Sequence, residues 1–309
     1  DVKTLSTIVL VESIKPPGVF KTTTNTCVFE SLETLSITLD KYLSVPGSIT
    51  PLTWATAMFG PEAYKTDSPA ESVEPTRPIS IKNIAFSGNK ELFTLFTSGS
   101  TGEPKGITHA SAGYLVYTKY TCKHQFGMNR NSIIVTASDA GWLNGHTYAL
   151  FGPLSFGATT VLIEKPMLLI DDIFLKKILR LKVTILYLPV TLIRLMKVIF
   201  KKTKFQTKYL TTLGSMGEHI APSVAEWFAK NFTNKNKPIV NAYYQTENGA
   251  IIASPTYKQK TSQVPHGSAG ELASKYLKVN KLYKNKKTEL KILTPWPGCM
   301  KSILNGKKE

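Results

Sequence analysis

The chain has 309 residues, 42% of them hydrophobic, and 38 Lys+Arg against 21 Asp+Glu give it a net charge of +17. That length is enough for one large buried core or two modest ones, and its richest apolar run, Val183 to Leu195, is broken by Pro189 and Arg194, so no span of bilayer length is expected. The lysines are dispersed without interleaved aromatics, which argues against a nucleic-acid surface and leaves small polyanions as the partners that a positive field would suit.

In chain order, Ser6–Val11 reads as a strand ended by Pro16-Pro17-Gly18. Ser31–Tyr42 carries a helical period, and Pro46–Ile79, rich in Pro, Ser, Thr and Gly, reads as loop. Leu92–Phe96 is a predicted buried strand, followed by a glycine-rich loop, Ile107-Thr108-His109 and a helix from Ser111 to Phe126. Strand 132–136, helix 147–156 and strand 159–163 come next. Asp171 is placed to cap a helix running to Leu181. Strand 183–188 leads into a helix over 191–201 with Leu192, Leu195, Met196 and Ile199 on one side. Strand 209–213 precedes a helix with Pro222 in its first turn that reaches Phe232, and strand 238–243 follows. The tail, Gly267 to Leu304, including Leu290-Lys291-Ile292-Leu293, reads as more β-rich. This alternation predicts an α/β fold, a layered large domain of mostly parallel sheet flanked by helices, with ligands at the carboxyl ends of its strands. Cys27, Cys122 and Cys299 are far apart and fit neither a zinc spacing nor a disulfide framework, so free thiols in a reducing, cytoplasmic setting are expected.

Four segments carry chemistry. The first is Thr97-Ser98-Gly99-Ser100-Thr101-Gly102-Glu103-Pro104-Lys105-Gly106. Its glycines let backbone N–H groups converge on an anion, its hydroxyls add donors, and Lys105 brings a point charge for phosphate. It is not the nucleotide-triphosphatase P-loop, because Gly106 follows the lysine where Ser or Thr is required. The second, Asn241-Ala242-Tyr243-Tyr244-Gln245-Thr246-Glu247-Asn248-Gly249, ends a predicted strand and sets a hydroxyl beside a carboxylate; a Thr-Glu pair can equally cap a helix start. The third is Gly214-Ser215-Met216-Gly217-Glu218-His219, in which His219 reads as a turn residue rather than a catalyst, with no neighbours spaced for a metal. The fourth, Ser138-Asp139-Ala140-Gly141-Trp142-Leu143-Asn144-Gly145-His146, puts Trp142 on a glycine-rich turn, where it can line a pocket or sit in the core.

Together these strings resemble the signatures of adenylate-forming enzymes, and within them the short-chain, AMP-forming acyl-CoA synthetases of the acetyl-CoA synthetase type. Shorter matches at Gly113-Tyr114-Leu115-Val116-Tyr117, Tyr148 to Thr160 (with Gly152-Pro153-Leu154 and Gly157-Ala158-Thr159-Thr160) and Pro295-Trp296-Pro297-Gly298 extend the resemblance over about Leu92 to Leu304. It implies ATP, Mg²⁺ and CoA as ligands and a small carboxylic acid as substrate. By the resemblance, Thr97, Ser98, Gly99, Ser100, Thr101, Gly102 and Lys105 hold phosphates, and Gly217, Glu218, His219, Asn241, Tyr243, Tyr244 and Gln245 surround the nucleotide. Thr246 meets the α-phosphate and Glu247 positions Mg²⁺, so that Lys105, Thr246 and Glu247 form the catalytic set. The family has Pro where His219 stands, which weakens that adenine contact. The residues walling the acid are Trp142, Leu143, Asn144, Met216 and Tyr244. Leu and Met replace smaller valines and Tyr replaces a larger Trp, implying an acetate- to butyrate-sized acid in a cavity with added polar groups.

Members of that family continue into a Ser/Thr-Gly-Asp whose Asp binds ribose, an Arg near a hinge, and a small mobile domain with a lysine for adenylation. None has a match before Glu309, and the chain opens on Asp1. The expectation is therefore a piece of a longer enzyme, inactive alone, with 1–90 as a poorly matched N-terminal part of the large domain and 91–309 as its AMP-binding core. A non-catalytic nucleotide-binding relative and a basic nucleic-acid scaffold are the rival readings.

Overall fold

The computed structural model describes residues 4–14, 19–29, 87–97, 104–163, 165–233, 237–280 and 290–304. The expected helix at 31–42, the loop at 46–79 and most of the glycine-rich loop lie outside them.

The central sheet has seven strands in the order β2-β1-β6-β5-β7-β8-β9. These are β1 (Thr4–Ile14), β2 (Val19–Phe29), β5 (Ile133–Thr136), β6 (Thr159–Ile163), β7 (Ile185–Pro189), β8 (Thr212–Met216) and β9 (Val240–Asn241). β2 pairs antiparallel to β1, with Ile14 opposite Val19; every other pairing is parallel. The strands IIVT, TTVLI and ILYLP are nearly continuous apolar or β-branched runs, as strands covered on both faces require. Their period of two sorts the faces. Val135, Leu186 and Leu188 enter one core; Ile134, Ile185 and Tyr187 enter the other.

Helix α1 (Ser111–Phe126) covers the second face with Tyr117, Cys122 and Phe126. It stops at Gly127, whose left-handed φ of 70° lets its N–H reach the Lys123 carbonyl and that of Met128 the Cys122 carbonyl. The next helical stretch, α2, runs as Leu143–His146, a π turn Thr147–Phe151, and Gly152–Leu154. Pro153 explains the wide turn. It has no N–H to give the Ala149 carbonyl, which accepts a hydrogen bond from Thr160 Oγ1 instead, at 2.7 Å. Helices α3 (Asp172–Arg180), α4 (Val190–Phe200) and α5 (Pro222–Phe232) cover the first face with Phe174, Ile178, Ile193, Met196 and Phe228. Asp171 caps α3 by accepting from Phe174 N at 2.7 Å, and Pro222 sits in the first turn of α5.

A separate three-stranded antiparallel sheet has the order β12-β4-β3, from β3 (Glu91–Thr97), β4 (Lys105–Ala110) and β12 (Ser302–Leu304). β10 (Ala253–Ser254) pairs with β11 (Glu271–Leu272) of the tail, where Val279 also bridges Ile292. Among the described residues no helix is long and apolar enough to cross a membrane.

Two strands are displaced from their predicted positions. β8 starts at Thr212 because Thr207 Oγ1 captures the N–H groups of Tyr209 and Leu210 in a side-chain turn, keeping them off the ladder. β9 is only two residues long because the chain leaves the sheet after Asn241, and Tyr243 bridges Ala253. The helix predicted from Thr147 begins earlier, at Leu143.

Candidate active site

Three of the four motifs lie at the carboxyl ends of parallel strands of one sheet. Ser138–His146 follows β5, Gly217-Glu218-His219 follows β8, and Tyr243–Glu247 follows β9. The first motif lies between the two strands of the small sheet's hairpin: Thr97, at the end of β3, pairs antiparallel with Lys105 at the start of β4. Ser98, Gly99, Ser100, Thr101 and Gly102 lie outside the described residues. Lys105 is half-buried and makes no ion pair among the described residues.

The hairpin and the second motif are stitched together. His109, on β4, places Nε2 2.7 Å from the Thr246 carbonyl, so this nitrogen carries the proton and donates it. His109 is wholly buried against Phe93 and Tyr114, and burial lowers its pKa. Met300 N donates to the Glu247 carbonyl at 3.0 Å, and the next residue, Lys301, donates to the Thr108 carbonyl at 2.7 Å. From the other side, Thr147 Oγ1 donates to the Gly249 carbonyl at 2.8 Å. Its own oxygen then accepts from Tyr114 at 2.7 Å. Tyr148 accepts from Ile251 N at 2.9 Å, and Tyr117 donates to the Ile251 carbonyl at 2.9 Å.

These bonds hold a single 3₁₀ turn, Thr246–Asn248, whose capping box is made by Gln245 and Asn248. The capping role open to Thr246 and Glu247 is thus filled by their neighbours. Among the described residues the Thr246 hydroxyl and the Glu247 carboxylate make no hydrogen bond or ion pair, and both residues are half-buried. No three His, Cys, Asp or Glu side chains converge on a metal among the described residues. A hard cation here would have one protein carboxylate and draw its other oxygens from phosphate and water, the pattern Mg²⁺ favours.

Beside this turn, Gly217 has φ of 90° and nothing within 4 Å of where a Cβ would stand, so the end of β8 faces open space. Glu218 is exposed and paired with Arg194 at 3.2 Å; Arg194 also donates to the His219 carbonyl at 3.4 Å. The His219 ring is exposed. Asn241 is turned to internal use: its Oδ1 accepts from Ser215 at 3.0 Å, and its Nδ2 donates to the Gly267 and Ser268 carbonyls, each at 3.2 Å. Tyr243 is 42% exposed.

The fourth motif meets the second across the sheet end. Leu143 and Asn144 are buried in the first turn of α2, and Tyr244 donates its hydroxyl to Asn144 Oδ1 at 2.5 Å. Tyr244 packs edge-on against Tyr148, which meets Tyr187 the same way, with Met216 in the same cluster. Burial raises the Tyr244 phenol above its ordinary range. Trp142 is 72% exposed, so it is not a core residue. A cavity of ≈ 290 Å³ opens elsewhere, between the end of α1 and Tyr257, and contains no motif residue.

Sequence reading does not single out His109, Thr147, Tyr148 or Arg194. A histidine in the strand after the glycine-rich loop is the one local signal for the first. The others act through partners far along the chain, which no short spacing reveals.

Comparison with known proteins agrees with the assembly. The family described as AMP-binding enzyme matches residues 31–292. Acetyl-coenzyme A synthetase 2 of Saccharomyces cerevisiae is 34% identical over 231 residues, covering 72% of this chain and 34% of that protein. The enzyme of the same name from Eremothecium gossypii is 32% identical over 231 residues, with the same 72% and 34% coverage. Acetyl-coenzyme A synthetase of Herminiimonas arsenicoxydans is 37% identical over 226 residues, covering 69% of this chain and 34% of the relative. The chain thus spans about a third, 34%, of the length of these relatives. With a matched region reaching from before β3 to beyond the Gln-Thr-Glu turn, the chain belongs to the AMP-binding enzyme family.

Proposed function

We propose that the chain carries the adenylate-forming core of an AMP-forming acid–thiol ligase that activates a short, acetate- to butyrate-sized carboxylate with ATP and passes it to CoA. The observation that supports this best is the Thr246–Asn248 turn. Its hydroxyl and carboxylate are unpartnered among the described residues, while hydrogen bonds from His109, Met300 and Thr147 fix the backbone around them. A preorganised turn of this kind suits a reaction that runs on positioning and charge stabilisation.

In this reading a carboxylate oxygen attacks the α-phosphorus of ATP, the bond to pyrophosphate breaks, and an acyl-adenylate forms. The CoA thiol then attacks the acyl carbon and AMP leaves. Lys105 and the hairpin loop Thr97–Gly102 hold the β- and γ-phosphates, and Thr246 donates its hydroxyl to the α-phosphate. Glu247 fits Mg²⁺ as its one protein carboxylate; the ion, when bound, neutralises phosphate charge. The open side of Gly217, with Glu218, His219, Tyr243 and Gln245 around it, receives adenine, and Asn241 supports that turn from beneath. Trp142, Leu143, Asn144, Met216 and Tyr244 wall the acid. Residues 91–309 are the nucleotide-binding core, and 1–90 belong to the same large domain, a membership supported by the parallel pairing of β1 with β6. Free thiols at Cys122 and Cys299 suit a cytoplasmic setting.

The test is acid-dependent exchange of pyrophosphate into ATP by the full-length protein. Exchange with acetate, propionate or butyrate, lost in Lys105→Ala with the fold intact, is the expected result. Binding of ATP–Mg²⁺ without exchange for any acid would favour a non-catalytic relative. Binding to single-stranded RNA with a steep salt slope and no exchange would favour the nucleic-acid scaffold.

A further inference from the structure

Asn144 is 6% exposed, at the first turn of α2. Its Oδ1 accepts the Tyr244 hydroxyl proton, from a residue 100 positions along the chain. Its Nδ2 is buried and has no hydrogen-bond partner. Its chain neighbour Leu143 is buried, and its partner Tyr244 packs against the cluster that holds Met216 and Tyr148. Buried amide hydrogens are nearly always paired, and leaving one unpaired is unfavourable. An apolar side chain at this position would avoid that cost. With Oδ1 accepting from Tyr244, Nδ2 is the end left unpaired.

We propose that Asn144 is a specificity-determining residue, and that the acid this chain activates carries an oxygen acceptor beyond its carboxylate. A butyrate-sized oxo or hydroxy acid, whose oxygen takes the Nδ2 hydrogen, is the substrate class. The inference rests on the reading of Leu143, Asn144, Met216 and Tyr244 as the acid pocket. It goes further by using the donor that this pocket leaves unsatisfied. A site built to hydrogen-bond a substrate oxygen rejects the analogue lacking it by about 10⁴–10⁵-fold, against about 10–200-fold for a misfit in an apolar pocket.

The experiment compares kcat/KM for pyrophosphate exchange by the full-length protein with butanoate, 3-oxobutanoate, 3-hydroxybutanoate and 3-methylbut-3-enoate, in which a methylene replaces the oxo oxygen. The oxo acid is expected to exceed both apolar acids by about tenfold or more, and Asn144→Leu to bring that ratio close to one. Equal or better exchange with the apolar acids overturns the proposal while leaving acid activation standing. This comparison uses the unaltered protein, so it decides even if Asn144→Leu does not fold. A preference for the hydroxy acid over butanoate supports the proposal too, because its oxygen can take the same Nδ2 hydrogen. Exchange with none of these acids nor with acetate, alongside intact ATP–Mg²⁺ binding, removes the underlying reading and this proposal with it.

Discussion

On one face of the parallel sheet, Val135, Val161, Leu186, Leu188 and Leu213 pack against Phe174, Ile178, Ile193, Met196 and Phe228, with no tyrosine or histidine in the cluster. On the other, Tyr117, Tyr148 and Tyr187 take the corresponding places beside Phe126, Ile134 and Val240. The tyrosines of the second face carry polar handles, and two of them, on Tyr117 and Tyr148, fasten backbone. Tyr148 and Tyr117 bind both backbone groups of Ile251, and Thr147 binds Gly249, so the segment after the Thr246–Asn248 turn is fastened to α1 and α2. The first face supplies area removed from water, which is non-directional. The second supplies direction as well, which a turn proposed to hold phosphate and a metal ion needs and an aliphatic core cannot give.

If that contrast holds, the two faces should fail differently. Phe228→Ala on the first face removes a fully buried ring and should cost about 3–5 kcal/mol in urea unfolding. Nucleotide affinity of the folded fraction should be unchanged. A comparable loss of affinity at full folding would mean that the faces are not separable.

The second-largest effect is acid sensitivity of the site side. His146 is wholly buried, stacks on Phe93 at 4.7 Å and donates Nε2–H to the Ala140 carbonyl at 2.8 Å. Burial lowers its pKa from 6.5 to about 4. The unfolded chain therefore takes up the proton first as pH falls. The stabilisation is complete above about pH 6.5 and drains away down to about pH 4, a loss of about 3 kcal/mol. His146→Gln keeps a donor but does not titrate, so its stability curve should be flatter over that window. Identical slopes in the two proteins would remove His146 from the account.

A smaller effect separates the hydroxyl from the ring. Tyr148→Phe keeps the packing against Phe126 and Tyr187 but leaves the Ile251 N–H without its partner. The expected cost is about 1–3 kcal/mol, accompanied by weaker ATP–Mg²⁺ binding because the segment beyond Gly249 loosens. Lost stability with unchanged binding would show that fastening this segment does not serve the site.

Legibility in the sequence follows the same division. The boundaries of α1, β6 and α5 are readable from local chemistry: Gly127 stops one helix, Pro222 starts another, and TTVLI is an unbroken strand. β2 and β4 are not. VFKTTTNTCVF and KGITHA lack a simple apolar alternation, and both owe their strand pairing to the partner across a hairpin. The strand expected at 209–213 slips to 212–216 because a single hydroxyl, that of Thr207, outcompetes the ladder. At the site, the motifs could be found because each is contiguous. The linkages that assemble them, His109 with Thr246 and Asn144 with Tyr244, join residues more than a hundred positions apart or nearly so, and only the fold displays them.

The most direct measurement of the central claim is the Mg²⁺ dependence of pyrophosphate exchange in full-length Glu247→Gln. The substitution preserves size and removes the charge a hard cation needs. Because Gln245 and Asn248 already cap the turn, unfolding stability should stay within about 0.5 kcal/mol of the unaltered protein, while the Mg²⁺ required for half-maximal exchange rises and the rate falls. Unchanged rate and Mg²⁺ requirement, with about 1 kcal/mol of stability lost, would contradict the account and make Glu247 part of the turn's own support.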